Sequence, residues 1–188
     1  PKNFQFVHPF DNGEMHVRDE GLASLPRVPQ EICQQIADYY SMISHMDAQM
    51  GRIINAVSNK GIDDETIIIY TSDHGLAMGQ HGLIGKQNLY DHSIKIPFLI
   101  KSPNIESNQV INALTCQMDI LPTICDLTGI EIPGSADGKS LAPLMEGKVE
   151  KVYDSVFSAY KDLQRMIRKD KWKLIRYYYS NYSSTGSD

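Results

Sequence analysis

Cysteine is scarce in this chain, and Cys33, Cys116 and Cys125 form no C-x-x-C pair. A disulfide framework is therefore not expected, and only a Cys116–Cys125 bridge stays open. Basic charge is sparse as well: 18 Lys and Arg against 23 Asp and Glu leave a net charge of −5, with no long basic stripe. Nucleic acid is thus not an expected partner. No run approaches the roughly 18 apolar residues needed to cross a bilayer, so no membrane span is expected. The first residues, Pro1-Lys2-Asn3, include neither a methionine nor a signal peptide, the start expected of a fragment or a processed product. Periplasmic, secreted and cytoplasmic locations all stay open. What is present is ordinary for a globular protein: 188 residues, 41% hydrophobic and 22% charged, enough for one domain or slightly more.

Residues 1–29 are broken by Pro1, Pro9, Gly13, Gly21, Pro26 and Pro29, and read as a long loop hugging the surface. From Pro29 onward Ile32, Ile36, Tyr39, Ile43, Met46, Met50, Ile53 and Val57 recur at spacings of three and four. That spacing predicts one helix ending near Asn59, with Gly61 as its left-handed stop. Residues 66–71 are β-branched and apolar on both faces, as in a central strand covered on both sides. Residues 75–93, rich in Gly, His and Gln, have no period and read as a loop. A second strand is expected over 94–100, with Pro97 at an edge or bulge. A short helix is expected over 119–128, capped by Asp119 and ended by Gly129, followed by a Gly/Pro-containing connection over 130–151. Residues 155–160, 164–168 and 172–178 alternate like an antiparallel meander, and the tail 180–188 is polar and expected to be disordered. No internal repeat is visible.

Ser72-Asp73-His74-Gly75 falls at the C-terminal edge of the predicted strand, where open α/β sheets place their ligands. Asp73 offers a hard oxygen donor and His74 a nitrogen donor, so both could turn toward one divalent cation. The alternative is that Asp73 caps the turn and His74 is simply exposed. Lys86 lies in Gly82-Leu83-Ile84-Gly85-Lys86-Gln87, a glycine-bracketed loop that could present its point charge to a tetrahedral oxyanion. One more solvated lysine is the competing reading. His81 and His92 fall seven and eighteen residues after His74, which matches no standard zinc pattern.

These residues carry a family resemblance. The run from Tyr39 to Arg52 resembles the long helix that precedes the metal-binding strand in the sulfatase family. Thr71-Ser72-Asp73-His74-Gly75, Gly79-Gln80-His81-Gly82-Leu83, the run from Gly85 through Lys86 to Ser93, and Ile96-Pro97 resemble the downstream signature of that family, in order and spacing. His8 through Met15 resembles the loop that bacterial members carry before this helix. The likeness extends over about residues 8–178.

The resemblance implies an α/β fold: the C-terminal portion of the alkaline-phosphatase-like mixed-sheet sandwich, plus a small subdomain with a four-stranded antiparallel sheet. In that frame residues 1–150 belong to the catalytic domain, 151–180 to the subdomain and 181–188 to a polar tail. It further implies that Asp73 and His74 ligate a divalent cation, usually Ca²⁺ with Mg²⁺ as the alternative, although many relatives carry Asn at the second position. Lys86 would contact the sulfate in a catalytic role, and His81 would line the substrate pocket. The expected substrate is a sulfated small molecule or sulfated carbohydrate.

The nucleophile expected of the family is a formylglycine made within a Cys/Ser-x-Pro-x-Arg motif. None of the three cysteines has Pro at +2 and Arg at +4, and in Ser24-Leu25-Pro26-Arg27 the arginine comes one residue early. The nucleophile and the remaining metal and sulfate ligands are therefore expected upstream of Pro1. A sulfuric ester hydrolase piece, inactive alone, is the first reading. A phosphate or phosphonate monoester hydrolase of the same superfamily and a non-catalytic remnant are the alternatives.

Overall fold

The computed structural model describes residues 1–10 and 14–178, so part of the segment from His8 to Met15 and the polar tail lie outside the described residues. The predicted long helix forms as α1, Pro29–Asn59. Pro29 occupies its first turn, where no intrahelical N–H is needed. Gly61, at φ 66°, takes the left-handed turn that ends it. At about 1.5 Å per residue the helix is roughly 45 Å long, yet only Ile32 is buried along it. Ile32 packs with Ala23 and Ile84, flanked by Phe4 and Ile36. Farther along the same face Ile43, Met46 and Ile53 are exposed.

The predicted central strand is β1, Ile68–Thr71, half-buried at every position rather than covered on both faces. It pairs antiparallel with β2, Phe98–Lys101, in the register Ile68↔Lys101 to Thr71↔Phe98. The second strand thus starts four residues later than expected. Asp91–Ile94 closes a single helical turn instead, α2, with Ile94 N–H donating to the Tyr90 carbonyl. Pro97 has no N–H to give a ladder and directly precedes the first paired residue.

Residues 75–90 contain no helix or strand, as expected of a loop, but they form the packing centre of this part of the chain. Ala77, Leu83, Ile84, Leu89 and Asn88 are all buried there. Ala77 and Leu83 pack with Met15 and Tyr90 on one side, and Ile84 meets the start of α1 on the other.

A short 3-10 turn, Gln117–Asp119, leads into α3, Ile120–Thr128, which Gly129 ends at φ 69°. Asp119 does not cap α3 with its side chain. It is fully buried and its carboxylate instead accepts from Cys116 N–H, Lys139 N–H and the Tyr153 hydroxyl, at 2.7, 2.9 and 2.6 Å. The 130–151 connection includes one further turn of helix, α4, Ala142–Met145. All three cysteines are free, which closes the Cys116–Cys125 option.

The meander forms as β3 (Val156–Tyr160), β4 (Gln164–Lys169) and β5 (Trp172–Tyr177), antiparallel in that order. Three strands are present among the described residues where the resemblance implied four. Phe157, Ile167 and Leu174 stand side by side in register on its exposed face. The opposite side meets α2 and the segment before α1: Arg168 and Lys173 both pair with Asp91, and Lys161 and the Tyr160 hydroxyl engage Glu14.

Candidate functional site

Asp73 and His74 follow β1 after one residue, Ser72, and Lys86 reaches the same point from the central loop. Asp73 is largely exposed at 78%. One of its oxygens accepts His74 N–H at 2.9 Å, and this backbone bond is the chief cause of a carboxyl held below its usual range. The other oxygen lies 3.3 Å from His74 Nε2. His74 Nδ1 is 2.9 Å from the Gly75 carbonyl, which can only accept, so Nδ1 carries the proton and the Nε2 lone pair is left free. Lys86 Nζ donates to that lone pair at 2.9 Å.

The backbone around these groups is tightly placed. Gly75 N–H donates to the Ser93 carbonyl at 2.8 Å, and a Cβ at residue 75 would fall 2.0 Å from the His92 carbonyl oxygen, so only glycine fits. Ala77 N–H donates to the Gly85 carbonyl, tying the segment after His74 to the one before Lys86. The Ser72 hydroxyl donates to the His74 carbonyl at 2.7 Å.

The donor chemistry suits a cation. A carboxylate oxygen and an imidazole nitrogen whose opposite nitrogen is held by a backbone carbonyl are the donors that metal ligation needs. Two protein donors do not complete a divalent site. Among the described residues no cluster of three or more His, Cys, Asp or Glu side chains adds to them.

His81 is placed differently. Its ring stacks on Tyr90, with centroids 4.2 Å apart, its Nε2 meets the Asn3 amide at 3.0 Å, and its carbonyl accepts from His8 Nδ1. Among the described residues none of its hydrogen bonds or ring contacts is to Asp73, His74 or Lys86. His92 lies beside it, ring centroids 6.0 Å apart, with burial as the main force lowering its pKa to about 4.

Sequence reasoning missed the residues that hold the Lys86 loop. Arg27, singled out only as a near miss for the formylglycine motif, is fully buried and ion-paired with the equally buried Glu20. Asp19 accepts from the Gln87 side chain at 2.8 Å. Gln164 of β4 reaches the same loop, accepting from Leu89 N–H and donating to the Gln87 carbonyl at 3.2 and 3.3 Å. No periodic signal marks such contacts, since each is a side chain meeting an irregular backbone far away in sequence.

A strand-end carboxylate, a histidine and a lysine meet on a scaffold of helices and strands, and comparison with known proteins gives the family. The sulfatase family profile matches residues 1–130, and that of the N-sulphoglucosamine sulphohydrolase C-terminal region matches residues 79–184. The chain belongs to the sulfatase family. It is 33% identical over 150 residues to arylsulfatase K of Xenopus laevis, covering 80% of this chain and 27% of that protein. It is 31% identical over 157 residues to an N-acetylglucosamine-6-O-sulfatase of Bacteroides thetaiotaomicron, covering 77% and 28%. Among solved structures, the phosphonate monoester hydrolase of Silicibacter pomeroyi superposes with a TM-score of 0.75 at 25% identity, over 88% of this chain and 35% of that one. A protein solved with its substrate D-glucosamine-2-N,6-O-disulfate superposes at 0.73 and 28% identity, over 86% and 35%. The chain therefore spans about a third, or less, of the length of these relatives.

Proposed function

We propose that this chain supplies one arm of the active site of a sulfuric ester hydrolase acting on a sulfated carbohydrate. Asp73 and His74 would ligate a divalent cation, Ca²⁺ in first place and Mg²⁺ as the alternative, and Lys86 would grip the sulfate. The observation that supports this best is the meeting of Asp73 Oδ2 and Lys86 Nζ at His74 Nε2, 3.3 and 2.9 Å away. A cation bound there would polarise the ester and offset charge on the sulfuryl oxygens. Family membership supports the reaction class, and the relatives named for glucosamine sulfates support the sugar.

This chain's own residues have definite tasks in that reading. His74 keeps its proton on Nδ1, held by the Gly75 carbonyl, so that Nε2 stays a donor to the cation. Lys86 moves its ammonium from His74 Nε2 to a sulfate oxygen when cation and substrate enter, a positioning and electrostatic role. The formylglycine nucleophile and the remaining ligands that the family implies would come from residues other than these. His81, packed on Tyr90, would line the substrate pocket.

Phosphonate or phosphate monoester hydrolysis is the second reading, favoured by the phosphonate hydrolase likeness. The deciding experiment is turnover of 4-nitrophenyl sulfate against 4-nitrophenyl phosphate and a phenyl phosphonate by the complete Ca²⁺-loaded enzyme. Preference for the sulfate supports the first reading, and preference for either phosphorus ester replaces it. The 188-residue chain alone should turn over none of them.

A further inference from the structure

The segment that presents Lys86 has no secondary structure of its own, so its backbone groups must find partners elsewhere. They find them in a buried charge pair from the loop before α1. One Glu20 oxygen accepts Ile84 N–H at 3.0 Å and the other accepts Gly85 N–H at 2.8 Å. Arg27 pairs with the first of these oxygens, donates from Nε to the Gly82 carbonyl at 2.9 Å, and donates to the Glu20 and Ala23 carbonyls. The next amide, that of Lys86, donates to the Gln87 side chain, which is itself held by Asp19. A Cβ at residue 85 would lie 2.8 Å from the Glu20 carboxylate and 2.5 Å from the Gln87 side-chain oxygen, so any other residue would displace these two side chains.

We propose that Glu20, locked by Arg27, is a positioning residue for Lys86. It fixes two consecutive amides directly before the lysine, and so sets where the ammonium can reach relative to Asp73 and His74. Stability alone is a poor account of such a pair. Desolvating two charges offsets most of their attraction, and apolar packing of the same volume commonly serves as well. What apolar residues cannot do is accept two adjacent backbone N–H groups and cap a carbonyl in the same loop. The inference rests on Lys86 as the sulfate grip.

The test is a double-mutant cycle in the complete, Ca²⁺-loaded enzyme with 4-nitrophenyl sulfate, using Glu20→Gln and Lys86→Ala. Glutamine keeps the shape but turns an NH₂ toward Arg27 or a backbone N–H, so one donor loses its acceptor. Glu20→Gln alone should lower kcat about 30- to 100-fold, the scale of a roughly 1 Å misplacement, with the protein still folded at assay temperature. In the Lys86→Ala background the same change should cost less than about threefold, because there is no ammonium left to position. Amide exchange at residues 84–86 should rise in Glu20→Gln while exchange in α3 stays as in the parent. Equal losses in both backgrounds, or no loss in the parent, would overturn the proposal and leave Lys86 in its role. Lys86→Ala with unchanged turnover would overturn the sulfate-grip reading and this inference with it. If Glu20→Gln does not fold, Glu20→Asp, one methylene short of spanning both amides and Arg27, gives the same comparison.

Discussion

Lys86 Nζ and His74 Nε2 are 2.9 Å apart, with the imidazole proton held on the opposite nitrogen by the Gly75 carbonyl. The ammonium therefore donates to the same lone pair that a divalent cation would use. If His74 ligates a cation as proposed, lysine and metal would compete for it until an anion drew the lysine away. Lys86→Met should lower sulfate-ester turnover about a hundredfold or more, the usual scale for removing a charge-stabilising donor. It should leave Ca²⁺ binding in the absence of substrate unchanged or tighter. Kinetics paired with calorimetric Ca²⁺ titration of the complete enzyme checks both. Weakened Ca²⁺ binding would show that the lysine supports the site rather than competes for it.

His74→Asn and His74→Ala should separate sharply. An asparagine at this position can offer its side-chain oxygen to a hard cation, whereas alanine offers nothing. Ca²⁺ affinity should fall less than about tenfold in His74→Asn and about 10- to 100-fold or more in His74→Ala. Equal losses in the two would argue that His74 faces the anion and not the metal.

The histidine next to the loop makes a pH prediction. Burial, with smaller contributions from His81 and Lys173, lowers the His92 pKa from 6.5 to about 4, and its Nε2 is buried without a hydrogen-bond partner among the described residues. The folded chain thus keeps His92 neutral at a pH where the unfolded chain protonates it. Stability from this group is complete above pH 6.5 and is lost as pH falls from 6.5 through about 4. The loss should be on the order of 2 kcal/mol once partial exposure is counted. Urea denaturation of the complete protein at a series of pH values should show the slope, and His92→Phe should flatten it between pH 6.5 and 5. A variant with the parent's slope would place the titrating group elsewhere.

Features set by neighbours along the chain are legible in this sequence, and features set by distant contacts are not. α1 was legible because Ile32, Ile36, Tyr39, Ile43 and Met46 repeat at spacings of three and four and Pro29 and Gly61 punctuate the ends. The meander was legible from alternation within each strand. Asp73, His74 and Lys86 were legible as candidates from the strand end and the glycine-bracketed loop, and the structure brings them together. Glu20 was not legible, because its partners Ile84 and Gly85 lie 64 and 65 residues away and a carboxylate meeting backbone amides leaves no pattern. Residues 94–97 read as strand because Ile94 and Ile96 alternate, yet Tyr90 starts a helical turn that takes up Ile94. Asp119 stood at a cap position by sequence, but three donors from 116, 139 and 153 claim its carboxylate.

Gln164 joins β4 to the loop that carries Lys86, and its removal tests how far the small sheet supports the site. The side chain is buried and bonds one N–H and one carbonyl of the loop. Gln164→Ala leaves both without a partner and opens a cavity, which should cost about 2 kcal/mol in the complete protein. Turnover should fall with it, since Leu89 and Gln87 lose their anchor. Thermal denaturation and kcat measured on the same sample check the pair, and a destabilised variant with full turnover would limit Gln164 to packing.

The isolated 188-residue chain should associate with itself. Ile53 is 67% exposed, and Ile43 and Met46 lie about 40% exposed on the same face of α1. A second apolar surface stands on the meander, where Phe157, Ile167 and Leu174 are exposed side by side in register. In relatives about three times as long, these faces have further chain available to cover them. Sedimentation velocity should show oligomers of the isolated chain that dissociate on dilution. Ile43→Glu combined with Ile53→Glu should reduce association if α1 dominates, and Leu174→Lys should do so if the meander dominates. A monodisperse monomer at high concentration would mean that α1 carries its apolar face without need of a partner.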